Sequence, residues 1–157
     1  RLDKEKTNII SLVEDTALTM VELAQAKGIE LIIDPEIEEL FIECDKLDIE
    51  RCIINLVSNA AKFTPKGGSI TIGIEDLGDK VKINVKDTGC GIDEKFHEAI
   101  FNRFNQVLDD EIIKGGSGLG LTITKQIVKL HNGEIYVESK VGEGSNFVII
   151  LPVDPQM

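Results

Sequence analysis

One stretch of the chain carries polar side chains at a spacing suited to metal and phosphate chemistry. Asn55, Asn59 and Lys62 stand so that a helix would place all three on one face. A carboxamide oxygen is a ligand that Mg²⁺ accepts, and a lysine one turn away could meet phosphate oxygens. Two asparagines in mid-helix need a reason, because asparagine is a mediocre helix former. The pattern therefore favours a magnesium and phosphate site; the alternative is a solvated face with an interhelical hydrogen bond.

A glycine-rich stretch, KGGSGLGLTITKQIV at 114–128, leads into a second helical pattern. Bare backbone N–H groups at the start of a helix bind anions such as phosphate. The stretch is not a Walker A loop, because Leu121 stands where that loop needs lysine. It is not a dinucleotide-binding loop either, because no strand precedes it. Gly116, Gly118 and Gly120 remain at the start of a helix, and alone they are equally compatible with a plain hinge.

A carboxylate ends one of the alternating strands. Asp87 closes VKINVKD and is followed closely by Gly89 and Gly91. A carboxylate at a strand end can accept a hydrogen bond from an exocyclic amine, and glycines let a planar ring approach the backbone. The alternative is a turn that begins with aspartate, which is common. Alone, Asp87 does not decide between the two.

Apolar periodicity predicts the elements that must position these residues. The predicted elements are a helix over 9–27 closed by Gly28, short strands GIELIID and ELFIEC around Pro35, a helix capped by Asp45 and ending near residue 63, a hairpin of SITIGIED and KVKINVKD around Gly78, the glycine-rich helix, and closing strands GEIYVES and SNFVIILP. Because most strand neighbours are joined by hairpins, we expect an α/β sandwich. Its mixed, mostly antiparallel sheet would be packed on one face by helices.

Length and composition limit the class of protein. The 157 residues are expected to form a single domain, 1–157. A net charge of −11 argues against binding to nucleic acid. Cys44, Cys52 and Cys90 have no metal-binding spacing and are expected to be free thiols. There is neither a signal peptide nor an apolar run of membrane-spanning length, and an opening without Met is expected for a piece of a longer chain.

Four segments in order resemble the N, G1, F and G2 boxes of sensor histidine kinases: NLVSNAAKFTP, DTGCGI, FNRFNQ and GGSGLGLTITKQIV. These kinases belong to the GHKL ATPase superfamily. The tail HNGEIYVESKVGEGSNFVIILP also resembles the closing strands of the family, so the resemblance covers essentially the whole chain. It implies the Bergerat ATP-binding fold, with ATP and Mg²⁺ held between the N-box helix and a lid over 96–117.

The resemblance implies a role for each matching residue. Asn59 matches the asparagine that ligates Mg²⁺, Asn55 matches the polar residue one turn earlier, and Lys62 matches the lysine beside the phosphates. Asp87 matches the carboxylate that accepts a hydrogen bond from the adenine amino group. The other residues expected to bind the nucleotide are Phe63, Gly89, Gly91, Ile92, Phe104, Gly116, Ser117, Gly118, Leu119 and Gly120.

The F box departs from the commonest pattern of the family. Gln106 stands where many members have an arginine near the γ-phosphate, and Arg103 is a candidate substitute. Phe101 and Phe104 match the aromatic anchors of the lid.

Asn55 indicates which reaction the resemblance implies. ATP-hydrolysing members of the superfamily have a glutamate here that can act as a general base toward water, and a carboxamide cannot take a proton. The expected reaction is therefore transfer of the γ-phosphoryl group to a histidine on another domain, with Asn55, Lys62 and Arg103 as catalytic residues. Neither His97 nor His131 is expected to be the acceptor.

The implied partners lie outside this chain, which lacks the H box of the family. They are a dimerisation domain that carries the phosphoacceptor histidine, and a response regulator. The domain alone is expected to be a monomer on the cytoplasmic side of a membrane-anchored, homodimeric parent. Three alternatives stay open: an anti-sigma-factor serine kinase, a clamp-type ATPase, which would be expected to have glutamate at position 55, and a non-catalytic ATP-binding interaction module. The last would be expected to lose Asn59 or Asp87, and both are present.

Overall fold

The computed structural model describes residues 2–102 and 119–153. In this part of the chain there are seven β-strands and four α-helices. In chain order they are β1 Glu5–Asn8, α1 Ile9–Leu18, α2 Val21–Ala26, β2 Glu30–Pro35, β3 Phe41–Cys44, α3 Lys46–Phe63, β4 Ser69–Asp76, β5 Lys80–Asp87, α4 Leu119–Leu130, β6 Glu134–Ser139 and β7 Ser145–Pro152. Two single-turn 3-10 helices, Glu94–Phe96 and Ala99–Phe101, follow β5. None of the helices described is long and apolar enough to cross a membrane.

Five strands form the main sheet in the order β2-β4-β5-β7-β6. The edge strand β2 is parallel to β4, and the other neighbours are antiparallel. The chain crosses from β2 to β4 by way of α3, as a parallel connection requires. The predicted mixed, mostly antiparallel sheet with helices on one face is confirmed.

The core lies between this sheet and the helices. Alternate residues of β4 and β5 are buried on the helix side: Ile70, Ile72, Ile74, Val81, Ile83 and Val85. The facing stripe of α3 consists of Ile49, Cys52, Ile53, Leu56, Val57 and Ala60, all buried. Complete burial of a side chain such as Leu56 contributes about 1.5–3 kcal/mol. This stripe fixes the rotation of α3, and with it the direction in which Asn55, Asn59 and Lys62 point.

The N-terminal region differs from the prediction of one helix over 9–27, which was wrong. Helix α1 ends at Leu18 and α2 begins at Val21. At the break, the backbone N–H and the hydroxyl of Thr19 both donate to the carbonyl of Thr16. Threonine hydroxyls that bond nearby carbonyls compete with the helical pattern, and here they accompany its end.

The two strands predicted around Pro35 exist but belong to different sheets. Strand β2 lies in the main sheet, whereas β3 pairs with β1 in a separate two-stranded sheet. The sequence of β1, EKTN, has no apolar alternation, so periodicity could not predict it.

Candidate nucleotide-binding site

A cavity of about 190 Å³ opens between α3, the segment after β5 and the turn between β6 and β7. It is lined by Asn59, Phe63, Asp87, Cys90, Gly91, Ile92, Asp93, Phe96, Val141, Ser145 and Phe147. The structure therefore brings together five of the predicted site residues, Asn59 and Phe63 from the N box and Asp87, Gly91 and Ile92 from the G1 box.

Asp87 is the last residue of β5 and is buried, with 4% of its surface exposed. Its Oδ1 accepts a hydrogen bond of 2.8 Å from the N–H of Gly89. Burial raises the pKa of the Asp87 carboxyl group, because a low-dielectric surrounding disfavours the charged form, while N–H donors from Gly89 and Ser145 act in the opposite direction. The result is a buried acceptor that faces the cavity.

The two glycines after Asp87 are required by backbone packing. A Cβ on Gly89 would collide with the carbonyl oxygen of Phe63, and one on Gly91 would collide with the carbonyl oxygen of Lys140. Gly91 also has a φ of 77°, which favours glycine. Among the described residues, the lack of a side chain at these glycines lets the loop pack directly against the end of α3 and against the backbone next to the β6–β7 turn. Their contact with a planar ring stays a prediction.

The three polar residues of α3 are placed differently from one another. Asn59 is half-buried and lines the cavity, whereas Lys62 is exposed on the last turn. Asn55 faces α4: its Nδ2 lies 3.2 Å from the carbonyl oxygen of Gly120 and 3.3 Å from the hydroxyl of Thr124. For the polar face of α3, the alternative explanation was an interhelical hydrogen bond, and this bond is present at Asn55. Of the two asparagines, only Asn59 lines the cavity.

Part of the predicted site lies outside the described residues. This applies to Arg103, Phe104, Gly116, Ser117 and Gly118, and to most of the lid predicted over 96–117. Their predicted roles stay predictions.

The parts of the chain that flank the undescribed segment are held to the core. Leu119 and Gly120 begin α4. Before the segment, Phe101 is buried and packs edge-on against Phe147, with ring centroids 6.1 Å apart. The hydroxyl of Thr122 on α4 donates to the carbonyl of Phe101 at 3.3 Å. Phe101 is therefore an anchor at the start of the predicted lid.

Some lining residues were missed from the sequence, namely Cys90, Asp93, Phe96, Val141, Ser145 and Phe147. Ser145 enters the site because β7 pairs with β5 so that Ser145 lies opposite Asp87. The apolar run in SNFVIILP indicated a strand, but the register between two distant strands is not visible in the sequence of either one. Val141 begins the turn VGEG between β6 and β7, and Ser145 follows it, so this glycine-containing turn was the available signal.

Both histidines have structural partners. His131 is buried, and its Nδ1 donates to the carbonyl of Ile127 at 2.8 Å, which leaves Nε2 to accept from the backbone N–H of Asp45 at 3.1 Å. His97 places Nε2 3.0 Å from the carbonyl of Ile92. These contacts support the prediction that neither histidine is a phosphoacceptor.

The family described as histidine kinase-, DNA gyrase B-, and HSP90-like ATPase matches residues 44–155. The chain belongs to this family. It is an ATP-binding domain of that class, and its predicted likeness to the catalytic domains of histidine kinases is confirmed.

Relatives and solved structures agree with this assignment. The circadian input-output histidine kinase CikA of Synechococcus elongatus is 39% identical over 145 residues, which cover 90% of this chain and 19% of that protein. The adaptive-response sensory kinase SasA of a Synechococcus strain is 36% identical, over 98% of this chain and 41% of that protein. The nucleotide-free catalytic domain of the histidine kinase ThkA superposes with a TM-score of 0.88 at 29% identity, over 99% of both chains. The chain thus spans about a fifth of the length of the first curated relatives that it matches.

Proposed function

We propose that this domain binds Mg·ATP and transfers the γ-phosphoryl group to a histidine on a separate dimerisation domain of a longer sensor kinase. The observation that carries the proposal is the cavity in which Asn59 of α3 and Asp87 of β5 face the same space. Asn59 supplies a carboxamide oxygen where we propose that the phosphates bind, and Asp87 supplies a buried hydrogen-bond acceptor for the adenine ring.

The walls of the cavity suit an adenine ring. Phe63, Ile92, Phe96 and Phe147 contribute apolar surface, and Asp87 is the buried carboxylate among them. An apolar slot with one oriented acceptor is the usual composition of a site that selects a flat, amine-bearing ligand. Asp87 accordingly hydrogen-bonds the exocyclic amino group, while the apolar walls exclude water.

The glycine at position 120 is evidence for a phosphate-binding site at the start of α4. Among the described residues, a Cβ on Gly120 would meet only ordinary contacts, the nearest with Cγ of Asn55 at 3.6 Å. Glycine in a helix costs about 1 kcal/mol relative to alanine, so packing within the described part of the chain does not explain it. A phosphate that approaches the backbone N–H groups of the first turn does.

The donor set fits a magnesium ion bound together with a nucleotide. Mg²⁺ keeps several waters and uses few protein ligands beside the phosphate oxygens of its substrate, so the single carboxamide oxygen of Asn59 is sufficient. When bound, the metal would neutralise charge that develops on the phosphoryl group. Lys62, exposed on the next turn, would contact phosphate oxygens, and Arg103 is proposed as the second cation.

Transfer is favoured over hydrolysis because of Asn55. Its carboxamide cannot accept a proton from water, and its Nδ2 donates to α4. The acceptor and the later partner are proposed from relatives: several are named histidine kinases, and ThkA was solved in complex with the response regulator TrrA. A homodimeric, membrane-anchored parent with this domain in the cytoplasm stays a prediction.

Asp87→Asn tests the adenine site. The asparagine keeps an oxygen acceptor for the N–H of Gly89, but it puts an amino group where the adenine amine would donate. We expect the Kd for Mg·ATP, measured by calorimetry, to rise more than about tenfold, the effect of an unpaired buried group. The control is Asp34→Asn, since Asp34 is exposed on β2. If Asp87→Asn binds Mg·ATP as well as the wild type, the adenine assignment is wrong.

A further inference from the structure

The contact between α3 and α4 contains a polar cluster formed by Asn55, Thr124 and the carbonyl of Gly120. Thr124 is fully buried, and its hydroxyl lies 2.8 Å from the carbonyl oxygen of Gly120. The Nδ2 of Asn55 lies 3.3 Å from the same hydroxyl and 3.2 Å from the same carbonyl oxygen. Two hydrogen bonds from Asn55 therefore connect the N-box helix to the first two turns of α4, and the third, from Thr124 to Gly120, lies within α4.

The chemistry of the cluster fixes the direction of each bond. The carbonyl of Gly120 can only accept, so the hydroxyl of Thr124 donates to it and is left to accept from Asn55. The amino end of the carboxamide must therefore face α4, and the carboxamide oxygen lies at the other end. A carboxylate at position 55 would place a negative oxygen against the Gly120 carbonyl, so this arrangement is specific for an amide.

The two helices joined by the cluster carry the groups proposed to meet the phosphates. Asn59 and Lys62 lie on α3, one and two turns beyond Asn55, and Gly120 lies in the first turn of α4. We propose that Thr124, acting through Asn55, is a positioning residue that sets the start of α4 at the right distance from Asn59 for the phosphate end of the nucleotide. The inference rests on the proposed function, because it assumes that ATP occupies this cavity.

A purely local role for Thr124 can be separated from this one by comparison with α1. Thr16 is buried there, and its hydroxyl donates to the carbonyl of Leu12, also one turn earlier, at 2.7 Å. That hydrogen bond stays within α1, whereas the hydroxyl of Thr124 is also joined to a side chain of a second helix. Thr16→Val is therefore a matched control for Thr124→Val, because both remove a buried hydroxyl that bonds its own helix.

The experiment compares a ligand with phosphates and one without them. The Kd values of Mg·ATP and of adenosine are measured by NMR titration for the wild type, Thr124→Val, Thr124→Ser and Thr16→Val. We expect Thr124→Val to weaken Mg·ATP by about three- to tenfold, the loss of one or two hydrogen bonds, and to leave adenosine unchanged. Thr124→Ser keeps the hydroxyl and should restore the wild-type ratio, and Thr16→Val should change neither Kd.

Each other outcome contradicts a definite statement. If Thr124→Val binds Mg·ATP like the wild type, or loses the same factor for both ligands, Thr124 has only a structural role. If the wild type binds adenosine and Mg·ATP with the same Kd, the phosphates do not bind where we propose. The positioning role of Thr124 is then wrong as well. If the wild type binds neither ligand, the proposed function itself is wrong.

Discussion

At Asp87, burial of the side chain disfavours the charged form of its carboxyl group. The pKa of its carboxyl group is higher in the folded protein than in the unfolded chain, chiefly because of burial. Protonation of the Asp87 carboxyl group therefore stabilises the folded state relative to the unfolded chain. This contribution is fully present below the unfolded pKa and is lost as the pH rises through the folded pKa. At neutral pH the buried carboxylate accordingly lowers the free energy of unfolding, a cost that the proposed contact with adenine would offset.

Asp87→Asn should consequently stabilise the domain while it weakens nucleotide binding. We expect the free energy of unfolding in urea at pH 7 to rise by about 1 kcal/mol, as is common when a functional site is neutralised. The gain should shrink as the pH falls toward the ordinary pKa of aspartate, because the wild-type carboxyl group then becomes neutral as well. A gain of the same size at both ends of this range would show that the charge of Asp87 is not its cause.

At the scale of elements, α4 is held at several points along its length. Thr122 bonds the carbonyl of Phe101, Thr124 is joined to Asn55 of α3, and His131 follows directly after the helix. The Nε2 of His131 accepts from the N–H of Asp45, and the carboxylate of Asp45 caps α3 through the N–H of Asp48. The start of the N-box helix and the end of α4 are therefore connected through one imidazole.

Replacement of this imidazole tests whether the connection is structural. His131→Phe would leave the half-buried N–H of Asp45 without its acceptor, and the loss of one such hydrogen bond costs about 0.5–1.5 kcal/mol. We expect the urea midpoint to fall accordingly, while phosphoryl transfer to the separate dimerisation domain persists below that midpoint. Loss of all phosphorylated product in a folded His131→Phe domain would instead point to a chemical role for His131.

The elements also show how much of the molecule could be predicted from the sequence. Helix α3 was predicted with its cap and its end, because apolar periodicity and a capping aspartate are both local features of the sequence. The β4–β5 hairpin was predicted from its alternation around Gly78. Strand β1 was not, because four residues without alternating apolar positions gain their pairing only from distant β3.

Within the site, spacing identified Asn55 and Asn59 as one polar face but could not assign them separate tasks. Asn55 bonds α4 because Thr124 and Gly120 lie opposite it, and this depends on how two helices pack. Thr124 itself was missed, since one threonine in an apolar-periodic helix has no distinguishing local pattern. Pairing across distant segments is the information that a single sequence does not show.

At the scale of the whole molecule, the reaction is expected to need a second domain. The isolated domain with Mg·ATP should release phosphate at least about a hundredfold more slowly than the median enzyme turnover of about 10 s⁻¹, because no base activates water at position 55. Addition of the separately produced dimerisation domain of the parent should yield a γ-derived label on histidine, stable in alkali and labile in acid. If the isolated domain released phosphate rapidly, and if this activity persisted in Asn55→Ala, the expectation that the reaction needs a second domain would be wrong.

The two edge strands of the main sheet, as the described residues form it, have a consequence for behaviour at high concentration. The edge strands β2 and β6 expose acidic side chains: Glu30 and Asp34 on one, and Glu134 and Glu138 on the other. If two copies met edge to edge, like charges would face each other across the new strand pair and oppose it. These four carboxylates, which contribute to the net charge of −11, thus lie where they oppose aggregation through added strands.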